Sequence, residues 1–355
     1  MENNKYSKVI KDLINIINKE VASDLHISEG RLPTIRIDGS LIPVNLGSPF
    51  TKNDLEEFLR IFLPPESIEL FKKEKELDFS WQYENQRFRG NAFYQQGTVS
   101  IVLRVISQDI KTLEELKLPE ILEVFARKKQ GFFLVVGPTG HGKSTTLSAI
   151  IEIINQNRSS HILTIEDPIE YIYKQKKSII DQREIKIDTK NFPTALRSMF
   201  REDIDVLLIG EMRGAETISA AITAAETGHL VFSTLHTNSA SQTIDRIIDT
   251  FPAEGQKQIR SQLASSLIGI FSQRLIPSIS GGRVPAYELL INNNAVSNLI
   301  REGRIAEIDS FIETSSNQGM ISINKSLAEL VRSGDITVEN AFLHPTKSKT
   351  LERLL

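Results

Sequence analysis

The segment that most constrains this chain is residues 137–144, which read Gly-Pro-Thr-Gly-His-Gly-Lys-Ser. An apolar run, residues 132–136, comes directly before it, and a helix-forming stretch follows it. This order of strand, loop and helix is the context that a phosphate-binding loop, or P-loop, requires. In such a loop backbone N–H groups surround phosphate oxygens, the lysine reaches the β and γ phosphates, and the hydroxyl binds Mg²⁺. The sequence therefore predicts a nucleoside triphosphate site formed by Gly137, Pro138, Thr139, Gly140, His141, Gly142, Lys143, Ser144 and Thr145.

Length and composition restrict the class of protein. With 355 residues the chain has room for about two domains. Its net charge of -3 gives no overall attraction to nucleic acid or to an anionic membrane. The absence of cysteine excludes disulfides and thiolate zinc sites. Because the chain has neither a signal-peptide pattern nor an apolar run of about 18 residues, we expect a cytoplasmic protein.

Changes of periodicity predict two domains. Residues 1–105 alternate between helical and strand patterns, which favours a small α+β domain with a mostly antiparallel sheet. Residues 106–117 are polar and predict a linker, and residues 118–355 are predicted to form the second domain, with helices at its C-terminal end. The second domain should open with a helix over residues 118–129, since Pro119 suits a first helical turn.

Local signals place several elements of the first domain. Thr51 is a predicted N-cap of a helix that stops at Pro64 and Pro65. Asp38 and Gly39 are typical of a hairpin turn. The strands predicted after the helix are residues 77–83, 87–95 and 99–105.

Short apolar runs recur between helical segments in the second domain. Such runs are typical of a parallel sheet buried on both faces, with ligands at the carboxyl ends of its strands. The order of runs and polar clusters predicts an α/β fold of the RecA-like kind. The predicted strands are residues 132–136, 162–165, 206–209, 230–235 and 285–291.

Two carboxylates follow predicted strands of this sheet. Glu166 ends one strand and is placed to activate the attacking water, although Glu166 or Asp167 would also serve to cap the next segment. Glu211 follows a Walker B-like strand, where a carboxylate meets Mg²⁺ directly or through water.

Two histidines and two arginines complete the set of candidate catalytic residues. His229 and His236 bracket one predicted strand, so they should lie at its opposite ends and not share a zinc ion. His236, at the phosphate end, is placed to sense the γ phosphate, whereas a structural role explains His229 equally well. Arg197 and Arg201 are four residues apart, which predicts one helical face. They would reach a neighbouring subunit's phosphates or form ion pairs on a solvated face.

These motifs together resemble the PilT-type secretion ATPases, the retraction motors of type IV pili. The likeness covers nearly the whole chain and is carried by residues 22–26, 137–146, 164–170, 210–213, 227–237, 258–264, 272–275 and 298–302. The resemblance implies a PAS-like first domain, a RecA-like second domain and a homohexamer in which the first domain of one subunit packs on the motor domain of the next. It also implies ATP with Mg²⁺, work on an inner-membrane platform protein of the PilC type, sister pilus ATPases as further partners, no nucleic acid, and a place at the cytoplasmic face of the inner membrane at the pilus base.

The resemblance also assigns roles to residues. By the resemblance, Lys143 and Ser144 would hold phosphate and Mg²⁺, and Glu166 would be the catalytic acidic residue of the Asp box. Glu211 would be the Walker B carboxylate, and His229 and His236 would be the histidine pair. Arg197 and Arg201, with Arg104 as a third, are the implied contacts to a neighbouring subunit. The chain departs from the family pattern at His141 and Gly214, and at Ser297, where the retraction motif has arginine.

Other functions remain open on the sequence. An assembly ATPase of pili or of type II secretion typically carries an extra N-terminal domain and a four-cysteine zinc insertion, whereas this sequence has 355 residues and no cysteine. An accessory pilus ATPase or a type IV secretion ATPase shares the two-domain plan. A RecA-like nucleic-acid motor requires a basic track with stacking aromatics, whereas Lys174, Lys176 and Lys177 form a short cluster followed by acids. A nucleotide-gated scaffold without turnover would have no need of both Glu166 and Glu211.

Overall fold

The computed structural model describes residues 2–37, 39–84, 86–106, 109–345 and 347–355. The chain splits into two compact units, Met1–Gln108 and Asp109–Leu355. Residues 109–117, for which the sequence predicts a linker, belong to the second unit, where Leu113 is buried in a hydrophobic cluster with Leu118. No helix within the described residues combines the length and apolar character needed to cross a bilayer.

The first unit packs helices against one antiparallel sheet. The sheet has the strand order β3-β2-β1-β6-β5-β4, and every neighbouring pair is antiparallel, as the sequence predicts. Asp38, predicted in a hairpin turn, lies outside the described residues, and the PAS-like assignment remains a prediction. The elements are α1 Glu2–Lys19, β1 Asp24–Ser28, β2 Thr34–Ile37, β3 Ser40–Pro43, α2 Lys52–Phe62, α3 Pro65–Glu74, β4 Glu76–Tyr83, β5 Gln86–Gln95 and β6 Thr98–Ile106.

The helix predicted from Thr51 forms with a reciprocal cap. The Thr51 hydroxyl accepts from the Asp54 N–H, and the Asp54 carboxylate accepts from the Thr51 N–H at 2.7 Å. The helix ends at Phe62, before the predicted stop at Pro64 and Pro65. Pro65 then begins α3, which the sequence did not predict, because a proline that stops one helix also suits the first position of another.

Phe58 occupies the centre of the first unit's core. Its ring is fully buried and lies edge-on to Tyr6 and Phe50, with centroid distances of 5.9 and 4.9 Å. We expect Phe58→Ala to lower the free energy of unfolding by about 3–5 kcal/mol, since the lost ring leaves a cavity. Chemical denaturation followed by the fluorescence of Trp81, the only tryptophan in the chain, reports on this unit.

The control for Phe58→Ala is Leu70→Ala, which shortens a side chain that is 46% exposed in the same unit. Its effect should stay within about 0.5 kcal/mol, as for most surface substitutions. Equal destabilisation by the two variants would contradict this description of the core.

In the second unit, helices pack around a mostly parallel sheet. The sheet has the strand order β13-β12-β7-β11-β10-β8-β9. Its elements are α4 Leu122–Ala126, β7 Gly131–Val136, α5 Lys143–Asn157, β8 His161–Glu166, β9 Ile179–Glu184, α6 Phe192–Met199, β10 Val206–Ile209, α7 Ala215–Glu226, β11 Leu230–Leu235, α8 Ala240–Asp249, α9 Ala253–Ser266, β12 Leu267–Pro277, β13 Arg283–Ile291, α10 Asn294–Glu302, α11 Ile308–Thr314, α12 Ile323–Arg332, α13 Val338–Phe342 and α14 Ser348–Leu354, with 3-10 turns at Ile305–Glu307 and Ser316–Gln318.

The RecA-like α/β architecture is confirmed, with corrections to individual elements. The predicted strand 285–291 is part of β13 but runs antiparallel to β12, because only a short turn joins the two strands. β9 and β12 were not predicted, since both carry polar residues that interrupt the apolar run. The helix predicted over residues 118–129 is restricted to Leu122–Ala126.

Candidate nucleotide-binding site

The P-loop leaves β7 and wraps into the start of α5 at the carboxyl edge of the sheet. Gly137, Gly140 and Gly142 have φ values of 145°, 77° and 81°, a region that glycine enters without strain. A Cβ on Gly137 would lie 2.3 Å from the carbonyl oxygen of Gln273. The loop therefore keeps its path close to β12 only if position 137 has no side chain.

Lys143 turns back over the loop. Its Nζ donates to the carbonyl oxygens of Gly137 and Pro138, at 2.8 and 2.9 Å. Burial lowers the pKa of Lys143, and the carboxylates of Glu170 and Glu211 oppose part of that shift. The ammonium is thus held inside the concave side of the loop, which fits the binding of phosphate oxygens.

His236 lies between the P-loop and the Walker B carboxylate. Its Nδ1 is 3.3 Å from Lys143 Nζ and 3.4 Å from the Thr139 hydroxyl oxygen. Its Nε2 is 3.4 Å from a carboxylate oxygen of Glu211, which also forms an ion pair with Arg213. The ring therefore links the lysine that faces phosphate with the acid at the end of β10.

Glu166 ends β8 in a buried position beside β10. The Thr164 hydroxyl donates to its carboxylate at 2.7 Å, and Gln182 Nε2 lies 3.5 Å from the same oxygen. Burial raises the pKa of Glu166 to about 7, against the opposing effect of these hydrogen bonds. A Cβ on Gly210 would come within 3.4 Å of Glu166 Cα, so the two strand ends approach closely. A carboxylate with this pKa suits proton transfer near neutral pH.

The residues at this edge fit a metal-bound triphosphate. Ser144 follows Lys143 in the first turn of α5. Glu211 lies at Nε2 of His236, on the side of the ring opposite to Lys143. Mg²⁺ is usually held by one or two protein oxygens together with substrate phosphates. The described residues contain no group of three or more acids, histidines or cysteines able to hold a metal alone, and a site of this kind does not need one.

Two predicted P-loop residues make structural contacts that the sequence did not predict. The Thr145 hydroxyl is hydrogen bonded to the Tyr171 hydroxyl at 2.8 Å. His141 Nδ1 accepts from the Leu275 N–H at 2.9 Å, and burial lowers the pKa of His141. A neutral imidazole is required for that hydrogen bond, and burial favours the neutral form.

A cavity of about 320 Å³ adjoins the first turn of α5. Its lining combines basic and apolar side chains with polar groups and the carboxylate of Glu115. Among the lining residues are Lys111, Lys117, Leu118, Thr146 and Arg283.

The contacts described above do not include His229, Arg197 or Arg201. His229 precedes β11 and its Nδ1 lies 2.9 Å from the Ala224 carbonyl oxygen, so the two histidines are at opposite ends of the strand. Arg197 pairs with Glu216 at 3.2 Å on an exposed surface. The prediction that Arg197 and Arg201 share a helical face is wrong, because α6 ends at Met199.

Arg104 belongs to the first unit and pairs there with the buried Asp24 at 2.8 Å.

Gln182 and Tyr171 support the site, and the sequence did not predict either of them. Nothing in their local pattern distinguishes them from ordinary strand and loop residues.

Comparison with known proteins finds relatives that align with nearly the whole chain. A family model described as type II/IV secretion system protein matches residues 2–333. The chain is 45% identical to the type IV pilus retraction ATPase PilT of Pseudomonas aeruginosa, over 94% of this chain and 96% of the relative. It is 44% identical to a twitching motility protein of Neisseria gonorrhoeae, over 90% of this chain and 86% of the relative. A crystal structure of the pilus retraction motor PilT with bound ADP matches with a TM-score of 0.90 and 44% identity, over 96% of this chain and 98% of that chain.

Proposed function

This chain belongs to the family of type II/IV secretion system proteins, and we propose that it is a Mg²⁺-dependent ATPase whose homohexamer powers type IV pilus retraction. The observation that best supports ATPase activity is that His236 contacts both Lys143 and Glu211 at the carboxyl edge of the sheet. Retraction is favoured because relatives named for retraction and for twitching motility align over nearly the whole chain.

Each site residue has a task in this proposal. The P-loop N–H groups and Lys143 bind the phosphates of ATP, and Lys143 exchanges its two loop carbonyls for phosphate oxygens. Ser144 and Glu211 would hold Mg²⁺, which supplies positive charge to the phosphates when bound. Glu166 accepts the proton of the attacking water. His236 contacts both Lys143 and Glu211, so it is placed to respond when phosphate draws either side chain away.

The remaining arginines fit contacts between subunits. The side chain of Arg197 is 70% exposed and forms a surface ion pair with Glu216, and such a pair costs little to break. Arg197 and Arg201 would stabilise charge on the phosphates of a neighbouring subunit, with Arg104 as a third contact. The hexamer would work at the cytoplasmic face of the inner membrane on a PilC-type platform protein. His229, far from the phosphate end of β11, would serve a subunit contact.

The activity should depend on pH through Glu166. Its pKa is raised to about 7, so the carboxylate is protonated and unable to accept a proton below that pH. We expect kcat to rise with pH, to level off above about pH 8, and to be about tenfold lower at pH 6 than on the plateau. Steady-state ATPase assays from pH 5.5 to 9 measure this profile, and a flat profile would contradict the assignment of Glu166.

A second candidate, an accessory pilus motor, is favoured by Ser297. Its hydroxyl lies 2.9 Å from the Ala264 carbonyl oxygen and 3.1 Å from the Asn292 side-chain oxygen, and it therefore ties α10 to α9. The retraction motif has an arginine at this position, which a hydroxyl does not replace.

Deletion of the gene in the source organism separates the candidates. For a retraction motor we expect pili retained or increased with twitching lost, since pilins are added but not withdrawn. Cells without pili would show an assembly motor. Unchanged pili with twitching reduced only under load would favour the accessory motor.

A further inference from the structure

Gln273 of β12 contacts the P-loop at three separate points. Its carbonyl oxygen packs against Gly137, where a Cβ would lie at 2.3 Å. Its side-chain Nε2 donates to the His141 carbonyl oxygen at 2.9 Å. Its side-chain Oε1 accepts from the Thr146 hydroxyl at 2.6 Å. Gln273 therefore contacts the beginning of the loop, the middle of the loop and the helix that follows it.

The side-chain amide of Gln273 has a fixed orientation. The side chain is only 3% exposed, so water does not compete for either end of the amide. The hydroxyl of Thr146 requires an acceptor and the His141 carbonyl requires a donor, and only one of the two amide orientations supplies both. Buried hydrogen bonds of this kind specify geometry as well as add stability.

The next residues of β12 extend the contact. The Leu275 N–H donates to His141 Nδ1 at 2.9 Å, so the main chain and the side chain of position 141 are both held by this strand. A Cβ on Gly142 would lie 2.9 Å from Gln273 Nε2, so the loop also passes close to the amide nitrogen. The P-loop is thus supported by a strand that lies more than 120 residues later in the chain.

We propose that Gln273 is a positioning residue that holds the P-loop in its phosphate-binding path through His141 and Thr146. This proposal rests on the proposed ATPase function. It adds to the site a residue that neither touches phosphate nor belongs to the P-loop. The backbone N–H groups of the loop, unlike the charge of Lys143, bind phosphate in the same way in the bound substrate and during the reaction. Their loss of position therefore weakens both states alike. Such uniform loss raises KM and leaves kcat nearly unchanged.

The test is Gln273→Met, which keeps the length of the side chain and removes both hydrogen bonds. We expect KM for ATP and the Kd for ADP carrying a fluorescent N-methylanthraniloyl group to rise about tenfold, for two lost hydrogen bonds of ordinary strength. We expect kcat to change by less than about threefold.

The matched control is Gln262→Met, since Gln262 lies on α9 and donates to Glu226 on an exposed surface. A purely structural role would lower the melting temperature of Gln273→Met without this change in KM.

A second variant keeps the test decisive if Gln273→Met does not fold. Gln273→Glu retains the acceptor for Thr146, and its carboxyl donates to the His141 carbonyl only when protonated. Because burial raises the pKa of a carboxyl, we expect the KM of this variant, relative to unaltered protein at the same pH, to be close to normal at pH 6 and raised at pH 8. A ratio that is independent of pH would overturn the proposal.

Thr146→Val tests the other partner of the amide. This change and Gln273→Met should together raise KM less than the product of their separate effects, since both remove the same hydrogen bond. Unaltered protein that binds no ADP would overturn the proposed function and this proposal with it. Normal binding by unaltered protein, with an unchanged KM in Gln273→Met, would overturn this proposal alone.

Discussion

Replacing Lys143 by alanine is expected to lower kcat for ATP hydrolysis by about 100- to 1000-fold, the usual effect of losing a preorganised charge from a phosphate or oxyanion site. Lys143 is 7% exposed and its Nζ is held by the carbonyl oxygens of Gly137 and Pro138. This position aims the charge into the loop before the nucleotide arrives. The measurement is steady-state phosphate release with Mg²⁺ and ATP.

Two variants separate the charge of Lys143 from its structural contacts. Lys143→Gln keeps a donor for the loop carbonyls but has no charge, so its kcat should fall nearly as far as that of Lys143→Ala. Lys174→Ala removes an exposed lysine and should keep kcat within about twofold of normal, as expected for a surface change. If Lys143→Ala keeps more than about a tenth of normal turnover, the charge of Lys143 does not stabilise the transition state of hydrolysis.

The second large effect is expected from Glu166→Gln. The amide preserves the size of the side chain and an acceptor for the Thr164 hydroxyl, but it does not accept a proton at neutral pH. We expect kcat to fall by about 100- to 10,000-fold, the range found for a lost general base, while the Kd for ADP stays within about threefold of normal. Single-turnover assays with excess enzyme measure the chemical step directly.

The matched control for Glu166→Gln is Glu288→Gln. Glu288 lies on β13, is also buried, and has its pKa raised to about 7 by that burial, but it accepts from the Ala240 N–H and not from the residues around the P-loop. Glu288→Gln should retain kcat within about threefold. It should also keep the rise in rate near pH 7, whereas Glu166→Gln should lose it. Loss of that rise in Glu288→Gln alone would move the pH dependence from Glu166 to Glu288.

Features that depend on a few neighbouring residues were predictable from the sequence. The P-loop has glycines where the backbone takes positive φ, and Thr51 begins a helix with the cap that its residue type favours. The central strands of the sheet were predicted because parallel strands buried on both faces are continuously apolar. Glu166 and Glu211 follow two of these strands, and the carboxyl ends of parallel strands meet at one edge.

Features that depend on distant parts of the chain were not predictable. β12 contains three consecutive polar residues, 272–274, between apolar residues. Only the pairing with β7 shows that Ser272 faces the segment after His236 and that Gln273 faces the P-loop. β13 has the composition of a parallel strand, and its direction was decided by the short turn before it. Arg197 and Arg201 have helical spacing, but α6 stops between them.

The sequence by itself determined that the chain has a P-loop on a RecA-like sheet and which acids lie near it, because backbone preferences and apolar periodicity act over short distances. The tertiary structure decided that His236 contacts both Lys143 and Glu211, that burial brings the pKa of Glu166 to about 7, and that Gln273 supports the loop. These properties arise from side chains that are remote in sequence and become neighbours only when the sheet forms. Burial and hydrogen bonding at such contacts then fix their charge and orientation.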